Sequence, residues 1–391
     1  MNESLDLLQL ETLNTEKREQ QETHPVSPAP ISFEPVPPDQ NPYQDSICPN
    51  DIFNYLLPDG SFFGLFSDPY ATMKYIDVQL GNRNAQYWFE QRKAEHSFTD
   101  REIRLIQFLS EQRVATSKQI HRVVFSETPL DKPKNVRLFL KKSKQRGFIC
   151  SFSWTTPLKN GQKKPLVYGL TEVGKQAAAE ILFKQIPDDF YFHPIEFPNG
   201  KGPNMNTFFI DLVCNELYAE LTRLDRLVKW ERRPQIRLND GTNFHPGASF
   251  ITIKDRDELM TFWVEVVRPG YDWVNRTKSR FIQIQNAINK ISPFQVPVRL
   301  IVITDGDARI PMVQQLASTF MPDLQVRYTT DERLVAGVGN QTFLQWNEDD
   351  LQLKAKPFRF LHEEHPGMTA SEYLRIMESE DEYEDEDEDE Y

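Results

Sequence analysis

The stretch from Asp131 to Gly174 constrains this chain most. A helix-period segment runs from about Lys134 to Arg146 and stops at Gly147. Its apolar positions Val136, Leu138 and Leu140 are expected to face a core. Lys134, Arg137, Lys141, Lys144 and Arg146 fall largely on the opposite side. Two alternating runs follow, Phe148–Trp154 and Leu166–Leu170, each reading as a strand. The loop between them carries Lys159, Lys163 and Lys164 around an Asn160-Gly161 turn. Thr171 then caps a further helix to about Lys184. A segment of this kind folds as a small α+β unit with a positive outer face.

Charge makes that unit stand out. Between Ser97 and Lys175 there are 16 Lys and Arg against 6 Asp and Glu, whereas the whole chain is at −13. The last fourteen residues, from Glu378, hold eleven acids and no base, and the first fifty hold nine acids and two bases. The intervening stretch therefore sits near +5. Upstream of the basic helix, Thr99 and Glu102 form a capping box ahead of Ile103, Ile106, Phe108 and Leu109. A second short helix starts near Thr116 or Ser117 and carries Ile120, Val123 and Val124. Three helices and a basic hairpin in this order predict a winged helix-turn-helix over 99–185, with duplex DNA as partner. Lys134, Asn135 and Arg137, near the start of the third helix, are placed for base edges. Lys141, Lys142, Lys144, Arg146, Lys159, Lys163 and Lys164 are placed for phosphates. A solvated basic face on a protein-interaction module is the competing reading.

The flanks have a different character. Residues 1–50 are polar, with Pro25, Pro28, Pro30, Pro35, Pro37 and Pro38, and are expected to be disordered. Residues 51–98 form an extension in which Ile52–Phe66 is apolar enough to pack on the next domain, and 70–97 reads weakly as a helix. Residues 186–202, with Pro187, Pro194 and Pro198, read as a linker, and 351–391 as a disordered acidic tail. That tail is expected to solvate the chain, or to contact its own basic domain or a basic partner. Cys48, Cys150 and Cys214 share no spacing suited to a disulfide framework or a zinc site, so a cytoplasmic location is expected. The polar N-terminus does not read as a signal peptide, and no run is long enough to predict a membrane span.

From 203 to 350 the pattern is helix, three strands, helix, strand, helix, strand. The helices are Met205–Leu224, Trp273–Ile291 and Ile310–Phe320. The strands are Leu227–Leu238, Phe244–Lys254, Leu259–Val267, Val298–Thr304 and Leu324–Tyr328. This is the core order of restriction-endonuclease-like domains (PD-(D/E)xK type), and it predicts a mixed sheet. That chemistry needs two carboxylates to hold Mg²⁺ and a lysine beside the attacking water. Here the strand that should bear the first acid reads His245-Pro246-Gly247-Ala248, and the next reads Val264-Glu265-Val266-Val267-Arg268. Glu265 is in place, but glycine stands for the first acid and Val267 for the lysine. Glu265, His245 and Lys278 are therefore vestigial candidates. No catalytic residue, metal or other cofactor is expected, with Mg²⁺ as the alternative, and Glu265 is expected to pair with Arg268 or Lys278. Trp263, Tyr271, Trp273 and Phe281 read as core or partner surface rather than base-stacking platforms.

Taken together, 99–346 resembles the plasmid replication-relaxation family. The resemblance rests on Tyr168-Gly169-Leu170-Thr171-Glu172-Val173-Gly174, on Trp230-Glu231, and on Pro246-Gly247-Ala248 followed by Val264-Glu265-Val266. It rests also on Val302-Ile303-Thr304-Asp305 and on Tyr328-Thr329-Thr330-Asp331-Glu332-Arg333-Leu334 with the late Trp346. The family usually has Asp where this chain has Gly247 and Val267. The resemblance implies a DNA-binding accessory protein of plasmid or mobile-element replication or DNA relaxation, working beside a relaxase or replication initiator. The alternatives are a Mg²⁺-dependent endonuclease or nickase with a displaced site, and a winged-helix transcription regulator.

Overall fold

A computed structural model describes residues 35–76, 82–126, 133–198, 200–255, 258–292, 297, 299–347 and 349–388. The expected disorder of 1–34 lies outside these residues. Those from Pro35 onward belong to one unit of mixed α and β structure.

The first region is built on an antiparallel sheet. Its elements are β1 (Thr72–Ile76), α1 (Asn82–Ala94), α2 (Asp100–Gln112), β2 (Val114–Thr116), α3 (Ser117–Val124), α4 (Pro133–Arg146), β3 (Ile149–Thr155), β4 (Val167–Thr171), α5 (Glu172–Leu182) and β5 (Tyr191–Phe192). The strands run β1-β3-β4-β2, and β5 pairs with β4 in parallel. Local sequence explains the helix starts. Thr99 and Glu102 cap α2 reciprocally, Thr116 and Gln119 do the same for α3, and Thr171 accepts from the Gly174 N–H at the start of α5. Residues 70–97, read weakly as a helix, divide into β1 and α1, and β1 supplies the strand paired with β3. The expected linker 186–202 is likewise partly strand, because Tyr191 and Phe192 continue the sheet.

Next comes α6 (Asn206–Arg223), buried along most of its length because it carries apolar groups on several sides. Phe209, Leu212, Val213 and Leu217 share one core with Phe152, Trp154 and Val167 of the first sheet and with Phe250, Phe262 and Val264 of the second. Four buried polar residues of α6 bind the first region, among them Glu220, which accepts from Arg122 Nη1 at 3.5 Å. Asp211 Oδ2 accepts from Arg113 Nη1 at 3.1 Å, and Asn215 Nδ2 donates to the Val114 carbonyl at 2.5 Å. Glu216 accepts from Gln119 Nε2 at 2.7 Å and from Arg122 Nη2 at 2.5 Å.

The second sheet holds seven strands. Their elements are β6 (Lys229–Arg232), a small β7 (Ile236–Arg237) and β8 (Asn243–Phe244) hairpin outside the sheet, β9 (Ala248–Asp255), β10 (Glu258–Val266), α7 (Trp273–Ile288), β11 (Arg299–Thr304), α8 (Ile310–Phe320), β12 (Val326–Thr330), α9 (Asp331–Val335), β13 (Leu344–Asn347), β14 (Gln352–Ala355) and α10 (Ala370–Glu388). The order is β14-β13-β12-β11-β10-β9-β6. Strands β10, β11 and β12 are mutually parallel, and the rest pair antiparallel. Strand alternation sends Phe262 and Val264 toward α6, and Trp263 and Glu265 toward α7. Residues 351–391, expected to be a disordered tail, contribute β14 to the sheet edge and the helix α10. That helix is tied down where it starts: the Ala370 N–H donates to the Asp225 carbonyl at 2.9 Å and Ser371 Oγ to Asp225 Oδ1 at 2.8 Å.

Residues 35–66 are also part of the fold, although 1–50 was expected to lack order. Tyr43, Ile52, Leu57, Phe63 and Phe66 are buried. This arm lies across the carboxyl ends of β11 and β12. Arg309, fully buried, donates to the Tyr55 carbonyl at 2.5 Å and forks onto Asp305 at 2.8 and 3.0 Å. Asp331 Oδ2 accepts from the Phe66 N–H at 2.9 Å. A Cβ on Gly64 would stand 2.5 Å from the Asp305 carbonyl oxygen, so the arm's closest approach requires glycine there.

Candidate nucleic-acid interface and the Glu265 site

Helix α4 opens on Pro133 and buries Val136, Leu140 and Ser143 at positions i, i+4 and i+7. Lys134, Asn135, Arg137, Lys141 and Lys142 are exposed on the faces this leaves open. Leu138, expected in the core, is 51% exposed. The period of 3.6 turns it away from the Val136–Leu140 stripe, and it lies among the cations.

The other expected phosphate contacts are less free. Arg146 ion-pairs with Glu102, whose side chain is fully buried, and its guanidinium lies over the Trp88 ring. Lys144 Nζ donates to Ser151 Oγ at 3.1 Å. In the hairpin loop Lys159 and Lys163 are exposed, but Lys164 Nζ points back to the Trp154 carbonyl at 3.4 Å. Burial lowers its pKa, with nearby Asp68 opposing the shift. The loop is pinned to the arm by a bond from the Lys159 N–H to Ser46 Oγ at 2.9 Å. Asn160 Oδ1 accepts from the Gln162 N–H at 3.1 Å, and Gly161 has φ +67°, the left-handed conformation the Asn-Gly pair was expected to supply. Exposed cations are therefore Lys134, Arg137, Lys141 and Lys142 on the helix and Lys159 and Lys163 on the loop.

Glu265, His245 and Lys278 do not converge. The last register pair between β9 and β10 is Ala248 with Val264, so Gly247 comes next opposite Glu265. Glu265 Oε1 accepts from the Gly247 N–H at 2.9 Å and pairs with Arg280 Nη2 at 2.5 Å. Its partner is thus Arg280, neither Arg268 nor Lys278. Arg268 is held by Asp331 at 2.5 Å, and Lys278 Nζ lies 4.8 Å from the centroid of the Phe320 ring. His245 keeps its ring exposed, and its carbonyl accepts from Arg280 at 2.5 Å. A Cβ on Gly247 would fall 2.7 Å from the Val264 carbonyl oxygen and 3.4 Å from Glu265 Oε2. A side chain at this position, where the nuclease-like order predicts an acid, would force the backbone to shift. Among the described residues no three His, Cys, Asp or Glu side chains group as a metal would require. One carboxylate already bound to a guanidinium is a poor fit for Mg²⁺.

Sequence reasoning missed Arg280. The available signal was the i, i+4 repeat of Arg276 and Arg280 on a helix whose Thr277 and Phe281 are buried. Of the aromatic residues, Trp263, Trp273 and Phe281 are buried, whereas Tyr271 is 88% exposed. No helix among the described residues is long and apolar enough to cross a membrane. No family model matches the chain, and neither a curated protein nor a solved structure does.

Proposed function

We propose that the chain is a DNA-binding accessory protein of plasmid or mobile-element replication or DNA relaxation, working beside a relaxase or initiator. In this reading α2 to α5 with the β3–β4 hairpin act as a winged helix, α4 enters the major groove, and the hairpin loop follows the backbone. The restriction-endonuclease-like region from α6 to β14 makes contacts and performs no hydrolysis. The observation that carries the reading is the sorting of α4. Its apolar groups at Val136 and Leu140 are buried, while Lys134, Arg137, Lys141 and Lys142 stand outside, with Lys159 and Lys163 alongside on the loop. Leu138 at the centre of that face suits the methyl group of a thymine.

Fluorescence anisotropy of the full chain on a labelled duplex tests it. About six phosphate contacts give a slope of log K against log salt of roughly −5. Lys141→Ala and Lys163→Ala should each flatten it by about one unit. A slope unaltered in both variants would remove α4 and the loop from the interface.

A further inference from the structure

A cavity of about 200 Å³ opens at the carboxyl end of β10, beside the first turns of α7. Three arginines line it, Arg268, Arg276 and Arg280, together with Asn206, Thr277 and Glu265. The carboxyl ends of parallel strands are where open α/β sheets hold their ligands. The arm 51–66 covers the ends of β11 and β12, and the end of β10 stays accessible through this cavity.

The charges around the cavity do not cancel. Glu265 answers Arg280, and Asp331 answers Arg268 from behind. Arg276 is exposed at the rim and makes no side-chain hydrogen bond or ion pair among the described residues. Its guanidinium lies close to Gly270, where an added Cβ would lie 3.3 Å from Arg276 Nη2 and 3.2 Å from Asn206 Nδ2. Arg268 is 94% buried, and its Nε has no hydrogen-bond partner. The surplus positive charge at the rim, from Arg276, favours an anion in the cavity. The positive end of the α7 dipole adds to the same preference.

We propose that this cavity binds a phosphate monoester. Guanidinium forks match phosphate oxygens in pairs, and three of them leave one uncompensated positive charge for the ligand. The volume is below the roughly 300–1,000 Å³ of a pocket for a whole small molecule, so it takes a phosphoryl group and leaves the rest of the ligand outside. Such a group could be the terminal phosphate of a nucleic-acid strand or belong to a small phosphorylated molecule or free phosphate. The proposal stands on the cavity and does not depend on the winged-helix reading.

The test uses the full chain, calorimetry with inorganic phosphate at matched ionic strength, and duplexes identical but for a 5′-phosphate or 5′-hydroxyl. Arg276→Gln removes the guanidinium without breaking a side-chain hydrogen bond or ion pair among the described residues, and its circular dichroism and Tm check that it folds as wild type does. Inorganic phosphate should bind wild type saturably, and Arg276→Gln should weaken that binding roughly tenfold or more. A preference for the 5′-phosphorylated duplex that vanishes in Arg276→Gln identifies a nucleic-acid end as the source. Phosphate binding without that preference identifies a small phosphorylated ligand. Absence of phosphate binding by wild type, or equal binding by the variant, overturns the site.

Discussion

Lys141 and Arg146 lie on the same helix and carry the same charge, yet their removal should have different consequences. Lys141 is exposed, so Lys141→Ala should change DNA affinity and leave Tm almost unmoved. Arg146 neutralises Glu102, a fully buried carboxylate that also completes the cap of α2 through Thr99. Arg146→Ala strands that carboxylate. With the arginine itself about one-third exposed, water offsets part of the loss, and a destabilisation of about 2 kcal/mol is expected, below the ~3–5 typical of a wholly buried pair. Urea denaturation of the two variants separates the roles: equal midpoints would remove the structural assignment of Arg146. Gly247 makes a similar point about a missing residue. Gly247→Asp would place an acid where the nuclease-like reading predicts one, but its Cβ would meet the Val264 carbonyl oxygen at 2.7 Å. The variant should lose about 1–3 kcal/mol of stability. Supercoiled plasmid incubated with Mg²⁺ or Mn²⁺ should stay intact with it and with wild type. Nicking by wild type that Glu265→Ala abolishes would instead promote the endonuclease reading.

At the scale of elements, the helices of the first region were legible because their signals are local. Thr99 with Glu102, Thr116 with Gln119, and Gly147 after Arg146 each fix an end within four residues. Strands β9 to β12 were legible through their apolar runs. What stayed hidden depends on partners distant in sequence. Strand β5 is two residues long and exists because β4 offers an edge, and β14 exists because β13 does. The Glu265–Arg280 pair joins a strand to a helix, and nothing near either residue announces it. Leu138 was misassigned because Val136, Leu138 and Leu140 alternate as in a strand, whereas the segment is a helix. Helix α10 belongs here as well. It carries most of the eleven terminal acids on a stem fastened at Asp225, so the negative charge has an anchored origin. Deleting 378–391 leaves that anchor and should tighten non-specific DNA binding at low salt, with little effect at high salt. Equal affinities at low salt for the truncated and full chains would assign the acids to another partner.

Over the whole molecule, the basic region and the second sheet share an interior. Phe152, Trp154 and Val167 bury against Phe208, Phe209 and Leu212, and the buried polar groups of α6 bond Gln119, Arg122 and the Val114 carbonyl. A fragment spanning 99–185 would expose those aromatics and leave β3 without β1 beside it. The fragment should aggregate or melt well below the full chain, and the span 35–391 should unfold in one transition by calorimetry. An independently stable 99–185 fragment with a sharp transition would show that the shared interior is dispensable to it.

The arm across the ends of β11 and β12 bears on how the chain is made. Residues 51–66 are made well before the groups that receive them, since Asp305, Arg309 and Asp331 are synthesised some 240 residues or more later. At translation rates of roughly 5–20 residues per second, the arm's apolar side chains wait on the order of tens of seconds with nowhere to go. Closure of the arm therefore waits until Asp305, Arg309 and Asp331 have been made, and a nascent chain halted before Asp331 carries residues 51–66 unsatisfied, as a target for chaperones.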